Sequence, residues 1–64
     1  MKLSKHALEQ ARQRGVSINE ISKAIQRGAK HFQGAKIVAD FMHVRVVYRI
    51  INKSPFVITV MIRR

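Results

Sequence analysis

The residue types in this chain that could perform chemistry are histidine, arginine and tyrosine. His6 would lie in a first helical turn, where the helix dipole disfavours the imidazolium form and so favours a base. Arg14 and Arg45 can each bind two phosphate oxygens, and Tyr48 can donate a proton or stack on a base. RNA supplies its own nucleophile, the 2′-hydroxyl, so a base, an acid and cations suffice for metal-free cleavage. These four residues are the predicted catalytic candidates.

Each candidate also has a purely structural explanation. An exposed surface histidine explains His6, and a cation that stabilises the C-terminal end of a helix explains Arg14. Arg45 fits a solvated sheet face, and Tyr48 fits a core or edge aromatic. The sequence leaves both explanations open for every one of them. The joint case for a basic sheet face is stronger than the case for any single residue.

The carboxylates are too few for a metal-dependent nuclease. Glu9, Glu20 and Asp40 are the only acidic residues, whereas such an enzyme holds its ions with a cluster of carboxylates. The three histidines show no zinc-ligand spacing, and cysteine is absent. The chain also has no glycine-rich nucleotide-binding motif. We therefore predict that it uses no metal and no cofactor.

The net charge points to polyanionic partners. Lys and Arg number 13 against three Asp and Glu, which gives a net charge of +10 in 64 residues. Because both halves of the chain are equally basic, the charge belongs to the fold and not to a detachable arm. Such a field attracts RNA or DNA first and an acidic protein second. The predicted nucleic-acid contacts are Arg12, Lys36, Arg45 and Arg49.

Two helices are predicted in the first half of the chain. Ser4 is a suitable N-cap for the first helix, which Gly15 ends in a left-handed conformation. Ser17 and Glu20 match the S-x-x-E capping box at the start of the second helix. Gly28 marks the end of that helix.

Strands are predicted in the second half. Residues 30–33 and 36–41 form a hairpin around Gly34, and residues 44–51 and 56–62 form two further strands. Alternation in residues 44–51 places Val44, Val46 and Tyr48 on one side of the sheet, and Arg45 and Arg49 on the other, less covered side. The fold class is therefore α+β, with two N-terminal helices packed on a three- to four-stranded, mainly antiparallel sheet in a single domain, 1–64. Residues 56–62 are the predicted pairing edge for an acidic partner or a second copy. This apolar run is too short to cross a bilayer, so we expect no membrane association and a cytoplasmic location.

The first helix carries a family resemblance. The run from Ser4 to Ser17 resembles the opening S-x-H-A-x-x-R-x-x-x-R-G-[IV]-[ST] of a small prokaryotic domain family of unknown function. That family is similar to RelE- and BrnT-type toxins, which are compact α+β ribonucleases neutralised by antitoxin proteins. By position, His6 and Arg14 match the signature histidine and second arginine, whereas Gln10 replaces the first arginine.

The resemblance implies a function and two kinds of partner. It implies a toxin-like RNA-binding protein with a RelE/BrnT-like fold, and more specifically a metal-independent endoribonuclease. An acidic antitoxin-like protein and RNA are the implied partners, and a homo-oligomer is a further option for so small a core. The replacement by Gln10 favours the alternative of a non-enzymatic nucleic-acid-binding protein. A module that binds an acidic protein is the third hypothesis.

Overall fold

The computed structural model describes residues 1–63 as two helices packed on a five-stranded sheet. In chain order the elements are β1 (Lys2–Leu3), α1 (Lys5–Arg14), α2 (Ile18–Arg27), β2 (Ala29–Gln33), β3 (Lys36–Phe41), β4 (Val44–Ile51) and β5 (Ser54–Ile62). The strand order across the sheet is β1-β5-β4-β3-β2. β1 runs parallel to β5, and all other neighbouring strands are antiparallel.

The predicted RelE/BrnT-like arrangement of two helices on three or four mainly antiparallel strands is wrong. The sheet is mixed and has five strands, which together make up about half of the chain. The additional strand, β1, is only two residues long, and a two-residue segment shows no alternation that could be recognised. It forms through long-range contacts: Lys2 pairs with Phe56, and the Ser4 N–H donates to the Val57 carbonyl at 2.8 Å.

The helix boundaries confirm the predicted caps. Ser4 Oγ accepts the Ala7 N–H at 3.0 Å, and Gly15 ends α1 with a φ of 66°. At the start of α2, the Ser17 hydroxyl and the Glu20 carboxylate each accept the other residue's N–H, which is the capping box. Neither ten-residue helix of the described chain is long and apolar enough to cross a membrane.

Three two-residue turns join β2 to β5. The predicted hairpin is confirmed, and Gly34 at its turn has a φ of 60°, which suits the first central position of a type II′ turn. Met42 has a φ of 53° in the second turn, and Asn52 and Lys53 have φ values of 51° and 64° in the third. Such short turns fix the pairing register and therefore decide which side chains share a face.

Both helices pack on the same face of the sheet. α1 lies mainly against β5, and α2 lies against β3 and β4. The face of β4 that alternation predicts to be apolar is buried there, at Val44, Val46 and Tyr48. The small side chains of Ala7 and Ala11 allow α1 to pack close to this core. Within residues 1–63, the opposite face of the sheet has no helix over it.

Candidate nucleic-acid interface

The uncovered side of the sheet carries three of the four predicted nucleic-acid contacts. Residues opposite one another on antiparallel strands share a face, so Asp40, Arg45 and Met61 form one row across three strands. The same register places Lys36 and Arg49 on that side. We call this side the open face; its members are Lys2, Ala29, His31, Gln33, Lys36, Val38, Asp40, Arg45, Val47, Arg49, Ile51, Ser54, Phe56, Thr59 and Met61.

Asp40 is the centre of a charge cluster on the open face. The residue is only 8% exposed. Arg45 donates to its carboxylate twice, from Nε to Oδ1 at 2.7 Å and from Nη2 to Oδ2 at 3.0 Å. His31 Nε2 and Arg63 Nε each lie 3.9 Å from Oδ2. The cluster therefore holds two arginines and a histidine around one carboxylate. Because the two arginines outnumber the single carboxylate, the cluster does not repel an anion.

The Arg45 contact controls the protonation of this carboxylate. The hydrogen bonds from Arg45 lower the pKa of Asp40, and this effect outweighs desolvation, which acts to raise it. The charges of Arg45, Arg63 and His31 lower the pKa of Asp40 further. The same hydrogen bonds raise the pKa of Arg45. The pair therefore stays ionised at neutral pH.

A shallow groove of about 370 Å³ runs beside this cluster. Its lining combines apolar side chains with polar groups: His31, Gln33, Val38, Arg45, Val47 and Met61. Val38 is only 7% exposed although no helix of the described chain covers it, so the longer side chains around it shield it from water. An apolar floor with a cationic rim suits a ligand that has flat apolar parts and negative charge.

Lys2, Lys36 and Arg49 are open-face cations available to a ligand. All three are exposed, and none forms an ion pair with a carboxylate of residues 1–63. Arg45, in contrast, already uses two of its donor groups on Asp40. Arg12 is exposed on α1, away from the open face, so it is not part of this surface.

The residues that could bind a metal ion are scattered over the described part of the chain. No three His, Cys, Asp or Glu side chains in residues 1–63 come together as a metal site. The closest approaches are pairs: His31 with Asp40, and His43 with Glu20 at 3.5 Å. The second pair, between exposed side chains, connects the β3–β4 turn to the start of α2.

Comparison with known protein families gives one match. A family model described as "Domain of unknown function (DUF4258)" matches residues 3–62. The chain belongs to the DUF4258 family. Searches among curated proteins and among solved structures found no match. Since the family description assigns no activity, the similarity to RelE- and BrnT-type toxins stays a prediction.

The predicted catalytic residues of this DUF4258 domain are not assembled into one site. His6 and Arg14 are exposed on α1, which packs on the helix-covered face of the sheet. Arg45 projects from the open face instead. Tyr48 is 4% exposed in the core, and desolvation raises its pKa. A substrate bound at Arg45 would therefore contact neither the α1 pair nor the Tyr48 hydroxyl.

Gln10 has a structural function at the position where the resembled signature has an arginine. Its Oε1 accepts the backbone N–H of Val60 at 3.0 Å. Val60 lies on the outer edge of β5, beyond the two residues that β1 pairs. A guanidinium has only donors, so an arginine could not accept this hydrogen bond. In this DUF4258 domain, Gln10 therefore fastens α1 to the sheet edge.

The sequence interpretation missed the importance of Asp40, His31 and Arg63. A signal for Asp40 was present, because the predicted strand ends, Phe41 and Val44, leave two residues for the turn. A two-residue turn places Asp40 directly opposite Arg45. His31 reaches the cluster only through the pairing of β2 with β3, and Arg63 follows the last strand.

Proposed function

We propose that this chain binds single-stranded RNA in the cytoplasm through its open face. The observation that carries this proposal is the grouping of Lys36, Arg45, Arg49 and Arg63 on a sheet face that no helix of residues 1–63 covers. Phosphate contacts supply most of the affinity of nucleic-acid binding and depend on positive charge. The net charge of +10 supports the same conclusion for the whole molecule.

The chemistry of the open face fits an unpaired strand better than a duplex. Val38, Val47 and Met61 give the groove an apolar floor, and Phe56 offers a half-buried aromatic side chain on the same face. Unstacked bases pack on such surfaces, whereas the bases of a duplex are already stacked on each other. Arg49 lies directly opposite Phe56 and is placed to contact a phosphate beside a stacked base.

Fluorescence anisotropy with a labelled single-stranded RNA of about ten nucleotides tests this proposal. Replacing Lys36 and Arg49 together by alanine is expected to weaken binding about tenfold and to reduce the slope of log K against log salt by about 1.4. The matched control is the double replacement of Lys5 and Lys23, which removes the same charge from the helices. This control is expected to change the affinity less than twofold.

The two double variants distinguish binding through the open face from binding that depends only on total charge. An equal loss of affinity in both variants would show that binding follows total charge and not the open face. Affinity for duplex RNA above that for a single strand would contradict the stacking argument. Absence of salt-sensitive binding in the wild-type chain would overturn the proposal as a whole.

Metal-independent cleavage of RNA is a second candidate function, and His31 is the observation that favours it. Its side chain is 63% exposed on the open face, within one cluster with Arg45 and Arg63. An imidazole at that place could accept the 2′-hydroxyl proton while the 2′-oxygen attacks the phosphorus and the bond to the 5′-oxygen breaks. The imidazolium would then return this proton to the departing 5′-oxygen, so the products would be a 2′,3′-cyclic phosphate and a 5′-hydroxyl, and the cations would stabilise the charge on the phosphoryl oxygens.

Incubation of end-labelled RNA with excess EDTA distinguishes binding from cleavage. Loss of cleavage in His31→Ala, with cleavage intact in the double variant His6→Ala, Arg14→Ala, would locate the reaction on the open face. The reverse pattern would locate it on α1. Intact RNA with the wild-type chain would leave binding as the function.

A further inference from the structure

The two edges of the sheet differ in how their backbone groups are covered. The outer edge of β5 is occupied along most of its length by β1, Ser4 and Gln10. Ser4 alone contributes two bonds there, from its N–H to the Val57 carbonyl at 2.8 Å and from its hydroxyl to the Ile58 carbonyl at 3.2 Å. The sequence-based prediction that residues 56–62 form a pairing edge is therefore wrong, because β5 lies between β1 and β4.

β2 is the other edge, and its outer side is bare. Within residues 1–63, no strand pairs with β2 on the side away from β3. The two-residue turn makes Gln33 and Lys36 a hydrogen-bonded pair, and such pairs alternate along an antiparallel ladder. Consequently the N–H and C=O groups of Lys30 and Phe32 point outward. An extended chain could form hydrogen bonds with these groups.

Phe32 gives this bare edge an apolar anchor. Its side chain is 76% exposed at an outward-bonding position, although a phenyl ring gains free energy on leaving water. Proline and bulges, which protect many natural edge strands, are absent from β2. An added strand would form hydrogen bonds with the outward backbone groups, and an apolar side chain of that strand could pack on the exposed ring.

The positive charge around β2 favours an acidic segment over a second copy of the chain as the added strand. Arg27, Lys30 and Lys36 lie in or beside β2, and the segment 27–36 contains no acidic residue. A second copy of the chain would bring the same positive charge to the edge, and like charges oppose such pairing. An acidic segment would instead be attracted to the edge.

We propose that β2 is the docking edge for an extended acidic segment of a partner protein, which adds to the sheet as a sixth strand beside Phe32. The inference is independent of RNA binding, because it concerns the edge of the sheet and not its open face. The partner segment must have backbone groups that are free to form hydrogen bonds, acidic side chains, and an apolar side chain at the position facing Phe32.

The probe for this proposal is a fluorescein-labelled nonapeptide of alternating glutamate and valine, titrated with the full chain. A version that is N-methylated at every internal amide has the same charge and cannot pair as a strand. We expect Phe32→Ala to weaken binding of the first peptide about tenfold, and N-methylation to abolish binding. Ile18→Ala, which truncates an exposed apolar side chain on α2, is the matched control and is expected to have no effect.

Amide hydrogen exchange supplies the second measurement. In the complex, exchange of the Lys30 and Phe32 amides is expected to slow, whereas Arg49→Ala is expected to leave peptide binding unchanged and to weaken only RNA binding. Equal binding of the N-methylated peptide would overturn the proposal in favour of simple charge attraction. Slowed exchange at these amides without peptide, dependent on protein concentration, would show that a second copy occupies the edge.

Discussion

Asp40 contributes both to the stability of the chain and to the charge of the open face. Its carboxylate is nearly buried and receives two donor groups of Arg45. It thereby fixes the orientation of that guanidinium and offsets part of the positive charge that Arg45, Arg63 and His31 bring together. Exposed ion pairs contribute little to stability, but hydrogen bonds to a buried charged group contribute more.

Replacing Asp40 by asparagine is expected to lower the free energy of unfolding by about 1 to 3 kcal/mol. The amide keeps the size of the side chain but leaves two arginines without their counter-ion. Urea denaturation measures the change. Glu9→Gln is the control, because it raises the net charge equally and Glu9 has no ion pair within the described residues. Equal losses in both variants would attribute the effect to net charge.

Protonation of Asp40 is also expected to lower the free energy of unfolding at acidic pH. Its pKa is lower in the folded chain than its ordinary value of 3.8, so the unfolded chain binds the proton more readily. The stabilisation is complete above the unfolded pKa and is lost as the pH falls through the folded pKa. Unfolding free energies measured between pH 6 and 2 are expected to decline less steeply in Asp40→Asn. The pKa of Glu20, lowered by its bond to the Ser17 N–H, accounts for part of the remaining slope.

At the scale of the elements, the turns between strands contain local strain. Lys53 occupies the second central position of the β4–β5 turn with a φ of 64°, where a side chain crowds the backbone. Asparagine tolerates this conformation better, so Asn52 before it fits its place. The combination Asn-Gly is the preferred sequence for a two-residue turn with two positive φ angles.

Lys53→Gly is therefore expected to stabilise the chain by about 1 kcal/mol. For a domain of this size, that corresponds to a rise in Tm of about 4 to 8 °C. Lys53→Ala is the matched control, because it removes the same charge and keeps the Cβ atom. Calorimetry would contradict the strain argument if both variants changed the Tm alike.

Glycine at position 28 is required for a packing reason. The residue ends α2 with an extended φ of −69°, so its backbone is not in the left-handed region. A Cβ atom there would lie 2.5 Å from the Ala24 carbonyl oxygen and 2.7 Å from the Asp40 carbonyl oxygen. Only the absence of a side chain lets the end of α2 approach β3 so closely.

At the scale of the whole molecule, repulsion among the basic side chains destabilises the folded state of this small domain. The sequence has thirteen basic residues, whereas the core of residues 1–63 consists mostly of valine and alanine, with Ile21 as its largest fully buried aliphatic side chain. So short a chain buries a limited share of its surface, which makes its stability sensitive to self-repulsion. The proposed ligands, RNA and an acidic segment, are therefore expected to stabilise the fold if they bind.

Added salt is expected to raise the stability of the free chain for the same reason. Sodium chloride between 20 and 500 mM screens the repulsion among exposed cations, so the Tm is expected to rise over this range. RNA binding is expected to weaken over the same range. A Tm that falls with salt would mean that attractive ion pairs, such as Asp40 with Arg45, outweigh the net repulsion.

Features that depend on neighbouring residues could be predicted from the amino-acid sequence. The cap at Ser4, the capping box of Ser17 with Glu20 and the hairpin at Gly34 were all predicted, because hydrogen bonds within a few residues create them. The buried side of β4 followed from its alternation. The open face with Arg45 and Arg49 was predicted in the same way, since side chains on a strand alternate between its two faces.

Features that join distant parts of the chain could not be predicted from the sequence. β1 pairs with residues more than 50 positions away, which makes β5 an inner strand and leaves β2 as the bare edge. The packing of α1 on the face opposite to Arg45 also keeps His6 and Arg14 out of any site that Arg45 forms. Local preferences cannot specify such contacts, because their free energy comes from burial and hydrogen bonding between segments that meet only after folding.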